Sequence, residues 1–312
     1  MDRFKKILCY VGGSVDPQPA LERAVDLART NGAILTLIDV LPEIWDGPWF
    51  VVPGEERLDQ LLTLERQRDL AALAADLTSP GLCVKTLLRT GKPFVELIRE
   101  VLRGGHDLVI KSAEGSTGGL GGLFGSTALH LLRKCPCPVW VVKSSDPHNC
   151  GRVLAAINPA PEGSEEDGLN VAILQLASSI AKRSRSSLGV LHAMWLPYES
   201  MLSGPRATVL KWNRTSRHEA AYRWAYGQIE ELIARSGALA ITPDLWVEHG
   251  EPAEILTHAA EDVDLTVMGI LSRTGVAGVL IGNTAEIVLQ RITSSVLTIK
   301  PPGFETPIQL EG

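Results

Sequence analysis

The chain has 312 residues, enough for about two domains at about 150 residues each. Hydrophobic residues make up 45% and charged residues 21%, which excludes disorder and collagen-like repetition as whole-chain descriptions. Thirty Lys and Arg against 36 Asp and Glu leave a net charge of −6, which argues against nucleic acid or an anionic membrane as the main partner.

Apolar periodicity gives the elements in chain order. In the first half, strands are predicted at 6–11, 34–40, 83–88, 107–111 and 138–142, with helices at 17–31, 56–78, 93–103 and 126–134. In the second half, strands are predicted at 152–157, 187–193, 243–248, 264–268 and 295–299. The helices there fall at 165–183, 214–236, 252–260 and 283–291. Along 17–31, Ala20, Leu21, Ala24, Val25, Leu27 and Ala28 form the apolar face of a helix that packs on a sheet. Short buried strands alternating with helices predict an α/β fold: two tandem, doubly wound, five-stranded, mostly parallel sheets with helices on both faces.

The two halves are copies. Residues 125–143, GSTALHLLRKCPCPVWVVK, align with 282–300, GNTAEIVLQRITSSVLTIK, at an offset of 157. Gly125/Gly282, Thr127/Thr284, Ala128/Ala285, Leu132/Leu289, Val139/Val296 and Lys143/Lys300 coincide, and Gly91-Lys92-Pro93 matches Gly250-Glu251-Pro252. The reading is a duplicated domain, 1–147 and 148–312.

The five cysteines, Cys9, Cys83, Cys135, Cys137 and Cys150, form an odd set without CxxC spacing. The apolar run Ile7 to Val11 breaks at Gly12-Gly13-Ser14, too short for an export signal, and no stretch has the length of a membrane span. These features predict a cytoplasmic protein with reduced thiols. Cys135-Pro136-Cys137 has no partner ligands and reads as packing, His106 and His192 as satisfied structural histidines, and Lys182-Arg183-Ser184-Arg185 as a solvated helix end.

In each copy the fourth strand runs into a glycine-rich loop and then a helix start. In the second this is Met268-Gly269-Ile270-Leu271-Ser272, nine residues, then Gly282-Asn283-Thr284-Ala285-Glu286. The chain resembles the universal stress protein family, whose nucleotide loop reads glycine, two residues, glycine, nine residues, glycine, serine or threonine. His130-Leu131-Leu132-Arg133-Lys134-Cys135-Pro136 and Gly282 to Glu286 resemble the family's tandem E type. The resemblance implies an adenine-nucleotide α-hydrolase-like fold and ATP or AMP as a weak ligand, with no cofactor required. In such a loop, glycines let the backbone approach phosphate and helix-start amides point at the anion.

The loops depart from that pattern. Ser272 replaces the middle glycine of the second loop and Asn283 its hydroxyl, with Thr284 next to it; Ser112 replaces the first glycine of the first loop, where Gly115, Gly125 and Ser126 match. Nucleotide-binding members carry an aspartate at the end of the first strand, where this chain has Gly12 and Asn158. The resemblance thus implies a preferred ligand site at Asn158, Ala193, Gly269, Ser272, Gly282, Asn283 and Thr284, and a weaker one at Gly115, Gly125 and Ser126. It also implies pairing through the last strands, Val139 to Val142 and Val296 to Ile299, as an intramolecular pseudo-dimer and, at higher association, a homodimer.

No GxGxxG, GxxxxGK[ST], GxSxG or paired-histidine motif occurs, so the expectation is a small-molecule-binding stress-response protein without efficient catalysis, slow ATP hydrolysis remaining open. Two other readings stand beside it. Val11-Gly12-Gly13-Ser14-Val15-Asp16 faintly resembles the loop of ATP pyrophosphatases. Seven tryptophans, including Trp45, Trp49, Trp195, Trp212 and Trp224, suit a scaffold or apolar-ligand carrier, although closure of the sheet edge is the favoured reading.

Overall fold

The computed structural model describes residues 4–13, 16–43, 58–113, 124–143, 151–195, 214–237, 239–271 and 282–310. Described residues up to 143, together with 304–310, form one compact unit; 151–271 with 282–303 form the other. Trp45, Trp49, Trp212, Gly115 and Ser272 lie outside the described residues.

In the first unit, β1 (Lys6–Tyr10), β2 (Ile34–Leu41), β3 (Cys83–Thr90), β4 (Leu108–Ser112) and β5 (Val139–Val142) form a sheet ordered β3-β2-β1-β4-β5. Every pairing in it is parallel. The helices are α1 (Gln18–Asn31), α2 (Leu58–Leu77), α3 (Pro93–Gly104) and α4 (Gly125–Lys134). In the second unit, β6 (Arg152–Ala156), β7 (Ser187–Met194), β8 (Asp244–His249), β9 (Leu265–Gly269) and β10 (Ser295–Ile299) repeat the order as β8-β7-β6-β9-β10, again all parallel. Its helices are α5 (Glu165–Ser184), α6 (Arg214–Arg235), α7 (Pro252–Ala259), extended by a 3₁₀ turn at Ala260–Asp262, and α8 (Asn283–Arg291). The expected doubly wound fold is present twice.

Right-handed crossovers put α1 and α2 on one face of the first sheet and α3 and α4 on the other. Both faces are therefore covered, and the inner strands must be apolar on both sides. Ile7, Leu8 and Cys9 of β1 and Leu108, Val109 and Ile110 of β4 are fully buried accordingly. The repeat extends to its fastenings. Asp107 accepts from the amides of Lys5 (2.6 Å) and Lys6 (3.0 Å) at the start of β1. Asp264, its duplicate, accepts from Gly151 (2.6 Å) and Arg152 (2.9 Å) at the start of β6.

The first helix of each unit ends in a left-handed residue, Gly32 (φ 56°) after α1 and Arg185 (φ 54°) after α5. The basic run at 182–185 is thus a helix end, with Arg185 exposed. His192 Nδ1 lies 3.4 Å from the Ile157 carbonyl, whereas His106 leaves Nδ1 buried without a partner. Burial lowers the pKa of both. The tryptophan expectation divides: Trp140 is buried in β5, but Trp195 and Trp224 are 45% and 64% exposed. Trp195 follows β7 and Trp224 lies on α6. Among the described residues, no helix is long and apolar enough to cross a membrane.

Candidate functional site

In an open parallel sheet the chain leaves neighbouring strands in opposite directions at one point, and the crevice beyond their carboxyl ends is where ligands settle. In the second unit that point lies between β6 and β9. Ala156 stands opposite Met268 on one side and opposite Leu191 on the other. Continued two residues, the second register brings Asn158 beside Ala193; the first, continued one residue, brings Ile157 beside Gly269. The Ile157 amide donates to the Leu191 carbonyl at 3.0 Å, which holds that alignment past the strand end.

The helix start lies at the same end. The Gly282 amide donates to the Leu271 carbonyl at 3.2 Å, tying the beginning of α8 to the chain leaving β9. Gly282 is the N-cap of α8 and offers no side-chain cap to the first-turn amides, those of Asn283 and Thr284 included. Among the described residues, glycine at 282 meets no steric demand: its φ is −59°, and an added Cβ would lie 3.6 Å from the Leu271 carbonyl oxygen. Gly269 does meet one, since a Cβ there would come within 2.5 Å of Leu169 Cδ2, so α5 packs directly on its α-carbon.

Asn158 is exposed and firmly held. Its side-chain amide is uncharged, but its Nδ2 donates to Glu166 Oε1 at 2.7 Å. Its backbone exchanges two hydrogen bonds with Asn170, at 3.1 and 2.6 Å. Glu166 belongs to the first turn of α5, whose N-cap Ser164 accepts from the Asp167 amide at 3.1 Å. A carboxylate therefore stands one side chain away from the end of β6.

The first unit solves the same place differently. A Cβ on Gly12 would overlap Asp39 Oδ1 and lie 2.9 Å from the Tyr10 ring. Asp39, from β2, is 1% exposed; it accepts from its neighbour's amide, Val40 N, at 2.7 Å. Arg66 of α2 grips its other oxygen through Nε at 2.8 Å and Nη2 at 2.6 Å. The position left by Gly12 is filled by an internal ion pair. Charged hydrogen bonds to Asp39 and Asp69 raise the Arg66 pKa against the lowering effect of burial. Gly125 and Ser126 open α4, with Gly125 at φ 69° and Ser126 exposed, behind a fully buried Phe124. Lys143 Nζ lies 5.1 Å from the Phe124 ring centre, and burial lowers its pKa to about 8. Ser112, at the place of a loop glycine, spends its hydroxyl on the Ala20 amide of α1 at 3.2 Å.

Asp39, Arg66 and Glu166 are the residues that sequence reasoning missed. Asp39 had a signal, being the single charge in the apolar run Thr36-Leu37-Ile38-Asp39-Val40-Leu41. Glu166 had none, since acidic residues at a helix start are ordinary. Among the described residues no group of three or more His, Cys, Asp or Glu side chains could hold a metal ion.

The model of the universal stress protein family matches residues 3–143 and 152–300. The chain is 28% identical to universal stress protein E of Escherichia coli K12 over 323 aligned positions, covering 100% of this chain and 98% of that one. It is 26% identical to a universal stress protein E homolog of Haemophilus influenzae, covering 96% and 98%. Among solved structures, a putative universal stress protein from Pseudomonas aeruginosa UCBPP-PA14 superposes with a TM-score of 0.71 at 26% identity, covering 96% of this chain and 94% of that one. One from Archaeoglobus fulgidus shares the fold, with a TM-score of 0.64 at 18% identity, covering 95% and 98%. With both halves matched by the same family model and the same five-stranded fold present twice, the chain belongs to the universal stress protein family and carries two of its domains in tandem.

Proposed function

We propose that the chain is a cytoplasmic, non-catalytic stress-response protein that binds an adenine nucleotide weakly, in its second domain. The reading rests above all on the contrast at the two first-strand ends. Beyond β6, Asn158 pairs with Glu166, and the helix start of α8, which has no side-chain cap from Gly282, lies at the same end of the sheet, an arrangement that suits a sugar hydroxyl on one side and a phosphate on the other. Beyond β1, the equivalent volume is taken by Asp39 and Arg66. Among the described residues this anion site has no metal-ligand cluster and no arginine clamp, which favours binding over turnover. From the duplication, the two domains are also proposed to act as an intramolecular pseudo-dimer that needs no second chain.

Calorimetric titration of ATP and AMP into the wild type, Gly282→Asp and Gly125→Asp tests the site. The expected result is binding in the wild type and Gly125→Asp and none in Gly282→Asp. Binding lost only in Gly125→Asp overturns it, and rapid release of AMP and pyrophosphate overturns the non-catalytic reading. A second reading, an apolar-ligand carrier, is favoured by one observation. A cavity of about 480 Å³ lies beside Met194, His218, Tyr222 and His249, with Glu219 and Arg223 at its lining. Failure of every variant to bind nucleotide would favour that reading.

A further inference from the structure

The turn from α4 to β5 holds two thiols side by side. The Cys135 amide donates to the Leu131 carbonyl at 2.9 Å and ends α4; Pro136 follows, and Cys137 leads into β5. The two Sγ atoms are 3.6 Å apart and share a hydrogen bond. Cys135 is fully buried and Cys137 is half-buried.

The fold does not require this pair. In the second domain the same turn carries Ile292 and Ser294: Ile292 is fully buried, and the Ser294 hydroxyl lies 2.8 Å from that of Thr266. Nor is it typical of the other described cysteines. Cys9 is buried in β1, its thiol pushed up to about 12 by burial, and Cys83 is exposed on β3. Only at 135 and 137, among the described residues, do two sulfurs stand within a small movement of bonding distance.

We propose that Cys135 and Cys137 are an oxidative modification site, forming a reversible disulfide within the turn when the protein meets a hydroperoxide. Cys137, as thiolate, attacks one peroxide oxygen; the O–O bond breaks, an alcohol leaves, and Cys137 becomes a sulfenic acid. The Cys135 sulfur then attacks that sulfur, the S–O bond breaks, and water leaves. Two thiols and one hydroperoxide give one disulfide, one alcohol and one water. The sulfurs must close from 3.6 Å to about 2 Å. Pro136 has no amide hydrogen to lose from the turn as it tightens. The small ring favours re-reduction by a dithiol. The hydrogen bond shared with Cys135 and then burial hold the Cys137 thiol well above its ordinary pKa, and the Asp107 carboxylate adds to this. Reaction is accordingly slow at neutral pH and needs sustained exposure.

Trypsin cleavage after Lys134 and Lys143 releases 135–143, CPCPVWVVK, with both cysteines on one peptide. The full chain is reduced, desalted, exposed to hydrogen peroxide, alkylated and mapped by mass spectrometry without reductant. The expected peptide carries no alkyl group, is lighter by two hydrogens than the free dithiol, and regains two alkylatable thiols after dithiothreitol. A Cys135→Ser variant should instead leave Cys137 as a sulfenic acid that dimedone traps. The proposal is overturned if 135–143 stays doubly alkylated under conditions that oxidise Cys83. It is equally overturned if wild-type Cys137 proceeds to sulfinic acid with Cys135 still free. The wild-type map decides the matter even if the variant folds poorly.

Discussion

The two domains share a fold, a strand order and even the aspartates that fasten their first strands, yet they supply negative charge beyond the first strand by different routes. In the first domain a buried Asp39 reaches across from β2 and is neutralised by Arg66. In the second, Glu166 stands in the first turn of α5 and is oriented by Asn158. The first arrangement consumes its carboxylate internally. The second keeps one oxygen hydrogen-bonded and leaves the group half-buried. One strand end is filled by core, with glycine at position 12, and the other keeps an exposed carboxamide, Asn158, beside a carboxylate.

The comparison breaks most visibly at Gly12. Any Cβ there displaces the Asp39 carboxylate from both the Val40 amide and Arg66. Uncoupling a buried charge from its partner costs about 3 to 5 kcal/mol. Gly12→Ala should therefore lower the urea midpoint strongly, whereas Asn158→Ala should cost about 1 kcal/mol, the value of a surface hydrogen bond. Adding Asp39→Ala to Gly12→Ala should recover part of the loss. A Gly12→Ala protein as stable as the wild type would end the account of the filled strand end.

Lys143 gives the next largest effect. Its folded pKa of about 8 lies below the ordinary 10.5 because burial disfavours the ammonium. Below pH 8 both folded and unfolded chains hold the proton, and the full penalty applies. Between about 8 and 10.5 the unfolded chain binds more protons, so this residue's contribution to stability rises with pH. Lys143→Met should stabilise the chain by about 1 to 3 kcal/mol at pH 7 and by little above pH 10.5. A gain independent of pH would assign the effect to packing instead.

Glu166 sharpens the functional side of the contrast. If nucleotide sits in the second domain, Glu166→Gln keeps the shape, removes the charge and should weaken ATP binding about tenfold, the worth of one charged hydrogen bond. Arg66→Gln, at the first domain's ion pair, should leave binding unchanged. Calorimetry on both variants reads the difference, and equal losses would mean that the domains do not differ as proposed.

How far the sequence reached follows from what each feature depends on. The duplicated fold was legible because buried strands such as Val139 to Val142 and Val296 to Ile299 must be apolar on both faces, and helices such as α1 on one. The convergence of Asn158 and Ala193 could be anticipated because parallel strands in register place their ends together. The Asp39–Arg66 pair could not, since its partners are 27 residues apart and belong to different layers. A glycine at position 12 reads as a lost side chain until the neighbour that fills its space is seen. The exposure of Trp195 and Trp224 was missed for a related reason: aromatic count does not say which face a residue takes.

The smallest expected effect tests whether the domains are equally well finished. α1 and α5 both end on a residue in the left-handed conformation, Gly32 at φ 56° and Arg185 at φ 54°. In each case the backbone amide at that residue closes the helix by donating to carbonyls one turn back, to Ala28 and Arg29 in one and to Ala181 and Lys182 in the other. Glycine accepts this conformation freely, whereas a side chain there crowds the backbone at a cost of about 1 kcal/mol. Arg185 is exposed, so its removal costs little packing. Arg185→Gly should therefore stabilise the chain by about 0.5 to 1 kcal/mol, and Gly32→Arg should destabilise it by a similar amount. Paired denaturation curves measure both. If Arg185→Gly instead destabilises, the flexibility it adds to the unfolded chain outweighs the relief of strain, and the second domain's cap is already as good as the first's.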